Sequence, residues 1–136
     1  NLDENELSHI ENSISKKKVS FNNHLNWFKK KLLSKKSIIY IFKIDNLCAG
    51  QVRFDLIEKN KAIIDYSIDK IFRERGWGKL MLSEAIKKVH KEKGIKYFKA
   101  IVKKRNFKST KVFENLHFFK QNKKKYIEFN RHFLNT

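Results

Sequence analysis

Near residue 70 the spacing of apolar residues along this chain switches from the two-residue period of strands to that of a helix. "SIIYIFKI" (37–44), "LCAGQVRFDLI" (47–57) and "AIIDYSID" (62–69) are rich in β-branched and aromatic residues and read as strands. The short turns "DN" (45–46) and "EKN" (58–60) join them into an antiparallel meander. On the second strand Gln51, Arg53 and Asp55 share one face, and Val52, Phe54 and Leu56 the other. Beyond residue 70, Leu82, Ala85, Ile86 and Val89 fall at i, i+3, i+4 and i+7, which predicts a helix from about Trp77 to Glu92. Gly94 stands where a helix C-terminal glycine belongs.

The flanks extend this plan. Residues 1–20 are polar and lack a firm period, with room for a short helix over Asp3–Ser13. In "NNHLNWFKKKLL" (22–33), Leu25, Phe28 and Leu32 are spaced i, i+3, i+7, which predicts an amphipathic helix capped by Asn22 or Asn23. "IKYFKAIV" (95–102) reads as a strand. Ser109, Val112, Phe113 and Leu116 form a second helical stripe opened near Asn106, and "HFFKQ" and "YIEFNRHF" close the chain as a hairpin. The expected order is helix, three strands, helix, strand, helix, two strands, in one mixed α+β domain over residues 1–136.

Of only four glycines, Gly76 and Gly78 stand two residues apart in "RERGWGKLML" (73–82), at the junction of strand and helix. Glycine admits positive φ and close approach of a ligand. The first N–H groups of a helix lack intrahelical partners and carry positive potential, so such a junction suits an anion. Arg73, Arg75 and Lys79 add full charges. A tight turn with an exposed basic rim fits the same spacing. The P-loop pattern is absent, and Met81 stands where the dinucleotide fingerprint requires its third glycine.

The formal charge of +18 suits polyanionic partners, whether nucleic acid, anionic membrane or a phosphate-rich small molecule. The lysines are spread along the whole chain, however, and a coding bias toward Lys, Asn and Ile explains them equally well. No helix-turn-helix, RRM or zinc pattern is visible, and the histidines lack metal-ligand spacing, so neither specific nucleic-acid binding nor a metal is expected. No apolar run approaches the ~18 residues of a membrane span. Cys48 is the only cysteine and reads as a small strand residue in a reducing, cytoplasmic setting.

"R-E-R-G-W-G" (73–78) resembles the R/Q-x-x-G-x-G/A motif of the GNAT superfamily of N-acetyltransferases. "V-K-K-R-N-F-K-S-T-K-V-F-E-N-L-H-F" (102–118) resembles that family's V-x-x-x-N-x-x-S-x-x-x-Y/F-E-K-x-G-F segment, with Asn106, Ser109, Phe113 and Glu114 in register. The resemblance covers about residues 20–133 and implies a mixed, mostly antiparallel sheet flanked by helices. It implies acetyl-CoA as co-substrate, held by Arg73, Arg75, Gly76, Trp77, Gly78, Lys79, Asn106, Ser109 and Phe113. An amine would attack the thioester directly, with the N–H near Ile68 on the oxyanion. "S-F-N-N-H-L-N-W-F" (20–28) and "A-G-Q-V-R-F-D" (49–55) are similar to a subgroup of bacterial surface-sugar pathways. Those proteins acetylate an amino group on a nucleotide-linked deoxy sugar, as in pseudaminic-acid-type glycans.

The departures from the family are specific. No strand pattern precedes residue 20, and the chain starts with Asn, so the expectation is an incomplete N-terminus lacking the usual first strand. Phe113 replaces a thiolate-protonating tyrosine, and His117 replaces a glycine. The glutamate used as base by some relatives maps near Ala62, while Asp65 is on the opposite face by parity. His24 is the candidate base, against a half-exposed helix residue. Tyr66 is the candidate substitute acid, against simple packing, and Asn106 completes the catalytic set. Trp27 is a candidate for stacking on the acceptor, against core packing. Arg53 is a candidate for gripping its phosphate, against an ion pair with Asp55 or Asp65. The alternatives are acetylation of a protein, peptide or other small amine, a non-catalytic acyl-CoA-binding domain, and a basic nucleic-acid module. A homodimer is compatible with all of them.

Overall fold

The computed structural model describes residues 25–133, apart from residues 35 and 74. Strands β1 (Leu25–Ser34), β2 (Ser37–Ile44), β3 (Leu47–Glu58) and β4 (Lys61–Ile68) form a meander. A 3-10 turn (Lys70–Phe72) leads into helix α1 (Trp77–Lys93), followed by β5 (Tyr97–Lys103), helix α2 (Phe107–Asn115), β6 (Phe119–Asn122) and β7 (Tyr126–His132). The strands make one seven-stranded sheet in the order β1-β2-β3-β4-β5-β7-β6. Every pairing is antiparallel except β4 with β5, where α1 supplies the crossover that a parallel pair needs.

The meander follows from local chemistry. Asp45 and Asn46 both take positive φ, 49° and 68°, the geometry of a tight hairpin turn that Asp and Asn tolerate. Alternation along β2 buries Ile38, Tyr40, Phe42 and Ile44, and along β3 and β4 it buries Val52, Phe54, Ala62 and Ile64. This face meets Met81, Leu82, Ala85, Ile86 and Val89 of α1, each at most 1% exposed. Burying each larger side chain contributes roughly 1.5–3 kcal/mol. Tyr40 spans the layers by donating its hydroxyl proton to Glu92 Oε1 at 2.9 Å. Under α2, Phe113 stacks on Phe129 (5.4 Å) and meets Phe118 edge-on (5.1 Å). Both helices therefore cover one face, and Ile39, Ile41, Arg53, Asp65 and Ser67 occupy the other.

One expected element is corrected. In place of a helix over 22–33, Leu25–Ser34 is strand β1, paired antiparallel with β2. Its register shifts twice, between Asn26 and Lys29 and between Leu32 and Ser34. Each shift interrupts the two-residue repeat of the ladder, which accounts for a strand whose sequence carries apolar residues at helix-like spacings. The expectations for residues 1–20 lie outside the described residues.

The end of α2 explains another departure. His117 sits at φ 64°, with its N–H donating to Glu114 O (3.0 Å) and Phe118 N–H donating to Phe113 O (3.1 Å). This is the left-handed helix stop that glycine usually occupies. A histidine there carries a steric penalty of about 1–2 kcal/mol, partly offset by a stiffer unfolded chain. His117→Gly is expected to stabilise the protein by about 0.5–1 kcal/mol, measured as an increased urea midpoint with unchanged m-value.

Candidate active site

β4 and β5 pair over only four residues, from Lys61–Tyr97 to Ile64–Ala100. β4 continues to Ile68 and β5 to Lys103, but the two are no longer paired, so the sheet opens in a cleft. Backbone direction at its edge is fixed by neighbours. Asp69 N–H donates to Ala49 O on the β3 side at 2.8 Å. Ile68, one residue earlier, therefore turns its N–H and C=O toward the side that β5 has left. Its carbonyl accepts from Arg73 Nε there, at 3.0 Å.

The start of α1 is built at the head of this cleft. The Asp69 carboxylate accepts from Ile71 N–H at 3.3 Å, and Phe72, 2% exposed, anchors the turn. Gly76 is the N-cap at φ 80°, ψ 0°, a left-handed conformation that explains this glycine. Gly78 has a different reason. A Cβ on it would lie 2.9 Å from Ile68 Cδ1, so its bare Cα lets the helix start lie against the end of β4. No side chain caps α1, and its first turn holds no acidic residue. The backbone donors there face the mouth of the cleft with Arg75 and Lys79 exposed beside them.

Tyr66 lines the cleft on the helix-covered side. Its hydroxyl lies 2.7 Å from Ser109 Oγ in the first turn of α2, and its ring meets Phe113 edge-on at 5.9 Å. Burial pushes the phenol pKa up, opposed by the weaker effect of the Ser109 hydrogen bond, so Tyr66 keeps its phenolic proton at physiological pH. On the opposite sheet face, a hollow of about 260 Å³ is lined by Ile41, Cys48, Gly50, Gln51, Ser67, Ile68 and Asp69. Ile41, Gln51 and Ser67 are one cross-strand row of β2, β3 and β4. Ile68 thus borders both the cleft and the hollow.

The family model described as "Acetyltransferase (GNAT) family" matches residues 5–118. The chain belongs to the GNAT acetyltransferase family. Its fold is similar to that of the Campylobacter jejuni N-acetyltransferase PseH in complex with acetyl coenzyme A, at 18% identity and TM-score 0.66, over 96% of this chain and 92% of that one. It is likewise similar to an acetyl transferase from Salmonella typhimurium that modifies the N-terminal serine of ribosomal protein L7/L12, at 17% identity and TM-score 0.66, over 97% and 92% of the two chains. For the ribosomal-protein-S5-alanine acetyltransferase from Vibrio fischeri the values are 20% and 0.63, over 71% of this chain and 61% of that one. At these identities the likeness shows the fold. No curated protein matches the sequence.

Within this GNAT frame the expected site residues divide. Ile68, Arg73, Arg75, Gly76, Gly78, Lys79, Tyr66 and Ser109 come together around the cleft. Trp77 and Phe113 are in the core, at 2% and 1% exposure, because Trp77 packs on Phe42 (6.2 Å) and Phe113 on Phe129. Only the backbone of Trp77 reaches the mouth. The Asn106 side chain caps α2 by accepting from Ser109 N–H at 3.1 Å. Arg53 is on the far face, paired with Asp55 (3.2 Å) and Asp65 (3.3 Å). His24 lies outside the described residues, and of Trp27 only the backbone, in β1, is described. The hollow adds Gln51 and Ser67; the sequence signalled them only through the face that Gln51 shares with Arg53. Among the described residues no cluster of His, Cys, Asp or Glu could hold a metal ion, and no helix is long and apolar enough to cross a membrane.

Burial also sets a pH dependence. Tyr40 and Tyr66 both have raised pKa values, Tyr40 through burial and then the Glu92 carboxylate. The native protein keeps these protons above pH ~10, where unfolded phenols release them, so stability falls as pH rises past that point. Tyr66→Phe is expected to reduce, without abolishing, the loss of stability between pH 9 and 11. Urea unfolding across that range, with phenolate absorbance, checks it.

Proposed function

We propose that the protein is an acetyl-CoA-dependent N-acetyltransferase acting on a primary amine, and that the amine belongs to a nucleotide-linked amino sugar. The observation that carries the reading is the uncapped start of α1 at the head of a cleft bordered by Ile68. The coenzyme's diphosphate accepts hydrogen bonds from backbone N–H groups at Gly76–Lys79, with Arg75 and Lys79 contributing charge. Arg73 holds the loop to β4 through the Ile68 carbonyl. The pantetheine arm runs between the parted strands and brings the thioester to Ile68.

The amine enters from the hollow on the other face. Its nitrogen attacks the thioester carbon, and the oxyanion accepts from Ile68 N–H. Collapse breaks the C–S bond, and the thiolate takes the Tyr66 phenolic proton, which Ser109 helps to orient. Tyr66 thus fills the role that Phe113 has no proton to perform. His24 is our assignment for the base that takes the ammonium proton, because imidazole titrates near neutral pH. Both steps gain from holding thioester and amine at one point. The sugar-nucleotide acceptor is supported by the resemblance at 20–28 and 49–55, of which Gly50 and Gln51 line the hollow, and by a net charge that favours a phosphorylated substrate.

Acetyl-CoA at a hundred times its Kd is expected to raise the Tm by about 10 °C, which corresponds to ~2.7 kcal/mol of linkage stabilisation. Gly78→Pro removes one first-turn donor and is expected to abolish the shift with the helical circular-dichroism signal retained. Release of CoA thiol with a nucleotide-linked amino-deoxy sugar supports the acceptor. Release only with N-terminal peptides would replace it by a protein amine.

A further inference from the structure

We infer that Asp69 sets the charge specificity of the hollow: its carboxylate receives the amine end of the acceptor as an ammonium ion and rejects amines that carry an acid group beside the nitrogen. The inference rests on the proposal that the amine enters from the hollow, and it adds which amines that entrance selects.

Three observations carry it. First, the hollow is charged at one point. Of the seven residues that line it, Asp69 alone has an ionic side chain, while Cys48, Gln51 and Ser67 are small or neutral polar groups. Lys43, Arg53 and Lys70 are each within two residues of the lining in sequence, yet none of them is part of it. Arg53 is already held by Asp55 at 3.2 Å and Asp65 at 3.3 Å. A chain of formal charge +18 therefore presents a carboxylate, and no cation, in the lining of this hollow.

Second, the carboxylate is fixed in place. Asp69 N–H donates to Ala49 O at 2.8 Å, and its carbonyl accepts from Phe72 N–H at 2.9 Å. Its Oδ1 accepts from Ile71 N–H at 3.3 Å. An ionised carboxylate offers about four acceptor sites, so one backbone bond leaves capacity for an ammonium group. Third, the residue is beside the reacting position. It directly follows Ile68, which borders both cleft and hollow, and it lies two residues beyond Ser67 in the lining.

The amine reaches the hollow as an ammonium ion, and the charge-assisted hydrogen bond to Asp69 orients it. Asp69 is a positioning residue and not the base. The proton goes to the base assigned above, and the neutral nitrogen then leaves the carboxylate for the thioester carbon. A carboxylate or phosphate next to the amine would face Asp69 at close range and be repelled. Hydroxyl or amide neighbours would instead meet Gln51 and Ser67. On a sugar nucleotide the phosphates are thus outside the hollow, at the end of the acceptor away from the amine.

The test is Asp69→Asn, which keeps a side-chain oxygen for Ile71 N–H and so preserves the turn. Steady-state release of CoA thiol is measured with a nucleotide-linked amino-deoxy sugar and with an N-terminal peptide. For whichever acceptor reacts, the variant is expected to raise KM about tenfold and leave kcat within about twofold, with acetyl-CoA affinity and Tm unchanged. Serinamide is expected to inhibit competitively against that acceptor about tenfold more strongly than serine, and Asp69→Asn to bring the two within about twofold. An unchanged KM, a loss confined to kcat, or a serinamide preference that survives in the variant overturns the inference and leaves amine transfer in place. Acetyl-CoA binding without thiol release from either acceptor removes the amine-transfer reading, and the inference with it.

Discussion

Two neighbouring strands that pair for four residues and then part determine the rest of this molecule. Had β4 and β5 remained paired to their ends, the backbone of Ile68 would be spent on the ladder, and no space would separate the starts of α1 and α2. A parallel pair is tied by the helix that crosses between its strands. Here that helix begins at the open end of the pair, so its first turn and the unpaired strand edge face the same space. Gly76 turns the chain into the helix, and Gly78 lets helix and strand touch.

This arrangement divides work between the sheet faces. The helix-covered face holds the core, the start of α1 proposed to take the diphosphate, and the Tyr66–Ser109 hydroxyl pair. The opposite face presents the hollow, with the Arg53–Asp55–Asp65 ion group farther along it. Ile68 lies at the boundary of cleft and hollow, where the proposed reaction has the thioester on one side and the amine on the other. The Tyr66 hydroxyl does not depend on the helix position that Phe113 occupies, which gives a phenylalanine there a chemical alternative.

Much of this was legible in the sequence because the signals were backbone signals. The meander over 37–69, its turn at Asp45–Asn46, the start of α1 and the glycine stop at Gly94 follow from alternation, turn chemistry and glycine's access to positive φ. β1 was not, because two bulges break its alternation and imitate a helical stripe. Side-chain direction within motifs was equally hidden. Trp77 and Phe113 belong to segments matching the family motifs, yet one fixes the helix start against Phe42 and the other fills the space under α2. The row Ile41–Gln51–Ser67 exists only once three strands are in register, so no local pattern could show it.

The central claim is that peptide nitrogens at the start of α1 hold a coenzyme's diphosphate beside the end of β4. Backbone amide chemical shifts recorded during a CoA titration test it most directly. The largest changes are expected at Gly76, Trp77, Gly78, Lys79 and Ile68, saturating together with one affinity. Saturable binding that leaves those amides unmoved and shifts those of β6 and β7 instead would contradict it.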